Sequence, residues 1–114
     1  QTFDMKHNGI IPIVDLARVY ALAAGSEAVN TQHRLSEVAQ GGEVTADSAR
    51  DLSDALEFIS FMRIKHQAQQ IRNDIKPDNF VSPDDLSHFD RNHLKDAFTV
   101  VRTMQNVLGQ RYTR

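Results

Sequence analysis

The sequence predicts an all-α fold: a helical bundle of four main helices plus a short helical turn, with a long central helix over about 45–73 packed on a C-terminal helix over about 87–112. Three observations carry this. From Thr45 to Asn73 the chain keeps helical spacing with neither Gly nor Pro, a run of about 40 Å at ~1.5 Å per residue. From Ser87 to Tyr112 a single apolar stripe persists. Beyond the first few residues, no segment alternates as a half-buried strand would.

In order, Phe3 and Met5 alternate with Thr2, Asp4 and Lys6, the pattern of a short strand or extended linker. Residues 1–9 are therefore expected to be a linker or the tail of a preceding domain, with the helical domain covering 10–114. Asn8-Gly9 is a turn signal, and Pro12 suits the first turn of a helix. Between Ile10 and Ala24 the only charges are Asp15 and Arg18. Ile13, Val14, Leu16, Ala17, Val19, Tyr20, Ala21 and Leu22 wrap nearly the whole circumference, which predicts a buried helix. Gly25 is its expected C-cap, and Ser26 to Asn30 a connector. Asn30 or Thr31 caps a short helix through Gln40, with Leu35, Val38 and Ala39 inward and Gly41-Gly42 as its stop.

The long helix has Thr45 as N-cap, with Asp47 and Asp51 early, where the helix dipole favours negative charge. Leu52, Ala55, Leu56, Phe58, Ile59 and Met62 share one face. Farther along, that face carries Arg63, His66, Gln67 and Gln70, while Phe61, Ile64, Ala68 and Ile71 sit toward the opposite side. Two readings stay open: the first face emerges into solvent where the helix changes neighbours, or its polar residues line a hollow for an anionic or hydrogen-bonding ligand. Pro77-Asp78-Asn79 is turn chemistry, and Ser82-Pro83-Asp84-Asp85 a capped single turn. Ser87 opens the last helix, whose stripe is Leu94, Ala97, Phe98, Val101, Met104, Leu108 and Tyr112. Gly109 is mildly unfavourable within it.

Composition narrows the function. A chain of 114 residues is one domain by length. Absence of cysteine excludes disulfides and thiolate metal sites. A net charge of −2 argues against a general nucleic-acid binder, and no apolar run approaches the roughly 20 residues that span a bilayer. His88, Asp90 and His93 do not share a helical face, so no metal site is expected. Neither a nucleophile elbow nor a Gly-rich phosphate loop occurs, and no catalytic residue is expected in this chain. Lys6 and Gly9 precede the first helix, where a helix start and a cation could receive phosphate, or Lys6 is simply solvated. Asp15 and Arg18, three apart, form either a surface ion pair or a strip facing a ligand cleft. Arg91, Lys95 and Arg102 on the last helix, flanked by Asp90 and Asp96, read as a solubilising mixed surface.

Several phrases occur together: Lys6-His7-Asn8-Gly9, Ile11-Pro12-Ile13-Val14-Asp15-Leu16-Ala17-Arg18, Asn30-Thr31 with Arg34-Leu35, Arg63 with His66-Gln67, Pro77-Asp78-Asn79 and Leu94-Lys95-Asp96-Ala97-Phe98. In this order they resemble the C-terminal nucleotidyltransferase substrate-binding domain of bacterial signal-transduction proteins. Those proteins also carry cyclic-nucleotide-binding or CBS modules. The resemblance implies a helical domain that follows a nucleotidyltransferase domain related to protein-PII uridylyltransferases and adenylyltransferases, whose catalytic carboxylates lie in that preceding domain. It implies Lys6, Asp15, Arg18, Arg63, His66 and Gln67 as the substrate-binding set. It also implies Mg²⁺ and a nucleoside triphosphate for the full-length protein, with no cofactor held by this chain alone. The expected setting is the bacterial cytoplasm. The expected partners are the preceding domain and a second copy in a homodimer, without membrane or nucleic acid. The competing reading is a regulatory protein–protein interaction or dimerisation module that binds no substrate, with Phe61, Ile64 and Ala68 as its docking patch.

Overall fold

The computed structural model describes the backbone of residues 2–23, 30–41 and 45–112, and their side chains except at 21–23, 38–41 and 108–112. The expected C-cap at Gly25, the connector from Ser26, the stop at Gly42, and the inward Ala21, Leu22, Val38, Ala39, Leu108 and Tyr112 lie outside the described residues.

Four α-helices, α1 (Ile11–Ala23), α2 (Thr31–Gly41), α3 (Ala46–Arg72) and α4 (His88–Tyr112), form the bundle. A small antiparallel pair joins β1 (Phe3–Asp4) to β2 (Phe80–Val81), with Phe3 opposite Val81 and Asp4 opposite Phe80. A π-helical turn over Lys6–Ile10 runs into α1, and a 3₁₀ turn over Pro83–Asp85 precedes α4. α3 packs on both α2 and α4, and α1 on α2 and α4. At about 40 Å, α3 runs most of the 46 Å long axis.

The helix starts follow the predicted chemistry. The Asn30 side chain accepts from His33 N–H (2.8 Å), Thr45 Oγ1 from Ser48 N–H (3.0 Å) and Ser87 Oγ from Asp90 N–H (3.0 Å). Ser82 caps the 3₁₀ turn, with Pro83 at its first position. Each cap satisfies a backbone donor that a helix start otherwise leaves free. α3 ends as Asp74 enters the left-handed region (φ 57°), and Ile75 N–H then bonds back to the Gln70 carbonyl (2.8 Å).

The N-terminal segment packs into the bundle from Phe3 onward. Met5 is completely buried, and Gly9 is buried against α3 and α4. The helix expected to be buried all round is buried along one stripe, Ile13, Leu16, Ala17 and Tyr20, while Ile11 and Val19 are each 38 % exposed. Its neighbours cover one side only, so the charges Asp15 and Arg18 emerge on the other.

The core gathers these residues with Leu35, Leu52, Ala55, Ile59, Met62, Val81, Leu94, Ala97, Phe98, Val101 and Met104. Gly9 packs against it. A Cβ there would lie 3.0 Å from Ile59 Cγ2 and 3.0 Å from Phe98 Cε1, so a side chain at this position would push on both long helices. Gly9→Ala is expected to destabilise the fold by about 1–3 kcal/mol, the range for overpacking a filled core. Urea denaturation measures it, and a loss under about 0.5 kcal/mol would mean that Ile59 and Phe98 give way freely.

Candidate functional site

The polar half of α3 has a defined job. Arg63 Nε–H donates to Asn79 Oδ1 (2.6 Å), and Gln67 Nε2 donates to the Asp78 carbonyl (3.1 Å) and to Asn79 Oδ1 (3.3 Å). His66 Nε2 lies 3.1 Å from Asp78 Oδ1, and Gln70 Oε1 accepts from Asp78 N–H (2.9 Å). The face that sequence left open between solvent and a ligand hollow is therefore the seat of the Pro77–Asn79 turn. Asp78 also accepts from Phe80 N–H (3.0 Å). That backbone donor first, and His66 second, hold its carboxyl below the ordinary 3.8, against a smaller opposing effect of burial.

The six residues expected to bind substrate fall into separate places. Arg63, His66 and Gln67 are together under the turn. Asp15 and Arg18 pair on the outer face of α1 at 3.6 Å, both more than half exposed, an arrangement that contributes little to stability. Lys6 is exposed on the π-helical turn and makes no ion pair among the described residues.

A concavity lies elsewhere, between the N-terminal segment and α4. This cleft of about 600 Å³ is walled by Thr2, Phe3, Asp4, His7, Asn8 and Pro12 on one side and by Lys95, Phe98, Thr99, Val101, Arg102 and Gln105 on the other. None of the six expected residues is on its walls. Its volume is that of a small-molecule site. Phe3 and Phe98 stack at 5.4 Å to form an apolar wall. Asp4 accepts from His7 N–H on the π-helical turn at 2.9 Å, and its other oxygen lies 3.1 Å from His7 Nδ1. Lys95 and Arg102, about two turns apart on α4, make no ion pair among the described residues. Thr99 between them donates back to the Lys95 carbonyl at 2.9 Å.

In sequence, Lys95 and Arg102 read as solubilising charges, and their spacing of seven sets both on one face beside Phe98 and Val101. What makes that face a cleft is the N-terminal segment, about ninety residues away in sequence.

The histidines considered for metal have other surroundings. His93 stacks on Phe58 at 3.7 Å, and His88 Nε2 lies 3.1 Å from Asn92 Nδ2. Among the described residues, no group of three or more His, Asp or Glu could hold a metal ion, and no helix is long and apolar enough to cross a membrane.

Fold and cleft together describe an all-α bundle with a concavity lined by Lys95, Arg102 and the stacked Phe3–Phe98 pair. A family model described as "Putative nucleotidyltransferase substrate binding domain" matches residues 1–112, and the chain belongs to that family. No curated protein and no solved structure matches it.

Because the Asp78 carboxyl titrates below its ordinary value in the folded state, its bonds stabilise the fold above pH 3.8. That contribution disappears as pH falls through the lowered folded value. Asp78→Ala is expected to cost on the order of 1 kcal/mol at pH 7, with the gap from wild type closing as the pH drops below 3.8. Thermal or urea unfolding across pH 2–7 reads this, and a gap independent of pH would mean that the carboxylate charge is not what holds the turn.

Proposed function

We propose that this bundle holds a substrate for nucleotidyl transfer, with the Lys95–Arg102 cleft gripping an anionic part of it. The catalytic carboxylates belong to a preceding domain of the same polypeptide. The observation that carries the reading is the position of the cleft. Thr2 and Phe3 form part of its wall, so a domain attached at this end of the described chain would share the concavity. Membership of the family supplies the reaction class.

In this reading Arg102 offers a planar fork to a phosphate or carboxylate, and Lys95 a point charge two turns away. Phe3 and Phe98 present an apolar surface to the uncharged part of the ligand. On the same reading the exposed Lys6 and the Asp15–Arg18 pair are contacts for the preceding domain. Arg63, His66 and Gln67 act on the site at one remove, by holding the turn against which the N-terminal strand is laid. In the whole protein, Mg²⁺ held by the preceding domain's carboxylates would assist in-line displacement at a nucleoside triphosphate. The phrases shared with bacterial signalling proteins support a cytoplasmic enzyme of the uridylyl- or adenylyltransferase kind, with cyclic-nucleotide-binding or CBS modules as its regulatory neighbours.

The test is a transfer assay on the protein with its upstream domain, comparing Lys95→Ala and Arg102→Ala with wild type. Loss of one charge-assisted contact predicts a fall of about 10-fold or more in kcat/KM, with the circular dichroism spectrum unchanged. Arg18→Ala is the companion variant, expected from the resemblance to abolish transfer while sparing the fold. Arg63→Ala, expected to do the same from sequence, now carries a stability loss through Asn79. Wild-type kinetics in both cleft variants would remove the cleft from the site. An upstream coding sequence without a Gly-Ser and a following Asp-x-Asp would remove the reaction class.

A further inference from the structure

α3 has a third face, used neither by the core nor by the turn. Phe61, Ile64 and Ile71 on it are 60 %, 66 % and 60 % exposed. With Ala68 between them, the spacing is three, four, three, the a/d pattern of a coiled-coil seam. Ile75, just past the helix end, is also exposed, at 53 %. Isolated exposed apolar residues need no explanation, but a continuous row along about three turns of one helix does.

The charges beside the row point to its occupant. Toward the start of α3 the exposed charges are mainly acidic: Asp47, Asp51, Asp54 and Glu57, with Arg50 already paired to Asp47. Toward its end they are mainly basic: Lys65, Arg72 and, just beyond, Lys76, with Asp74 the one acid among them. A face acidic at one end and basic at the other is complementary to itself when reversed. We propose that a second copy of this chain pairs with the first, antiparallel, along the Phe61–Ile71 face of α3. The register that buries the whole row sets Phe61 across from the partner's Ile71 and Ile64 across from the partner's Ala68. It places Glu57 beside Arg72 and Lys76 of the partner subunit. A parallel pair would instead set acid against acid and base against base. The contact is isologous, each residue pair occurring twice about a two-fold axis. It is short, so the dimer is a weak one that forms and dissociates with concentration. This inference stands on α3 alone and does not depend on what the cleft binds.

Sedimentation equilibrium on the 114-residue chain tests it. The apparent mass should rise toward twice the monomer with concentration, and Ile64→Lys, a change at an exposed position, should hold it at monomer with the helical spectrum intact. Glu57→Lys alone and Arg72→Glu alone should each weaken association, and the double exchange should restore it. Direction is read by cross-linking, which is clean because the chain has no cysteine. Phe61→Cys mixed with Ile71→Cys should form a disulfide heterodimer. Phe61→Cys alone should not, since its two copies lie about 15 Å apart along the axis in this register. A chain monomeric up to about 0.5 mM, association insensitive to Ile64→Lys, or self-linking by Phe61→Cys alone would each overturn the proposal.

Discussion

Asn79 is where the molecule is tied. Its side-chain oxygen accepts from Arg63 (2.6 Å) and Gln67 (3.3 Å), and its carbonyl accepts from Met5 N–H (2.9 Å). Through these bonds the polar half of α3 holds the turn, and the turn holds the N-terminal segment. Two residues on, Val81 pairs with Phe3. This register lets Asp4 accept from His7 N–H in the next turn and sets Gly9 into the gap between Ile59 and Phe98. A two-stranded ribbon of this length has no stability of its own. It exists because Val81 on it and Met5 next to it are buried in the core and because α3 supplies a hydrogen-bonded bed beneath the turn. The cleft is the far side of the same construction, since its N-terminal wall stands where the ribbon and the π-helical turn put it.

Local chemistry was legible in the sequence, and long-range pairing was not. Asn30, Thr45, Ser82 and Ser87 announce helix starts because the bond each makes spans only two or three residues. The inner stripes of α3 and α4 follow from periodicity alone. β2 escaped notice because a two-residue strand has no period to detect. The π-helical turn escaped because Phe3 and Met5 alternate as a strand would, yet Met5 is the residue where the chain turns. For the polar face of α3, periodicity could say that it changed character at Arg63 but not what would cover it. Its cover is a turn 8 to 16 residues downstream, too far for a helix-spacing argument. The cleft beside Lys95 and Arg102 is not legible in sequence for a related reason: it is a property of two segments, and about ninety residues separate them.

Why the seat is polar follows from what it holds. The Pro77–Asn79 turn brings backbone groups toward α3, and burying them without partners costs more than one neutral hydrogen bond returns. Apolar side chains at 63, 66, 67 and 70 would leave Asp78 N–H and its carbonyl unmet. Arg63, His66, Gln67 and Gln70 meet them, and Asn79 as well, in a network where each bond fixes the geometry of the next. Such a network also gives direction. A turn that could slide on a greasy surface is pinned to one register, and the β1–β2 pairing inherits that register.

The same choice determines what faces outward. A helix has a fixed circumference, so turning polar residues toward the seat from Arg63 onward rotates the remaining apolar positions away from the core. Phe61, Ile64 and Ile71 are exposed as a geometric consequence of seating the turn. Geometry sets where those positions point but not which residues fill them. Lys or Glu there would keep the helix and improve solubility at no cost to the core. Large aliphatic and aromatic side chains at seam spacing, bracketed by acid at one end and base at the other, are unfavourable in water unless something covers them. The cover that matches both the spacing and the charge order is the same helix reversed, which makes the outer face of α3 a consequence of its inner one.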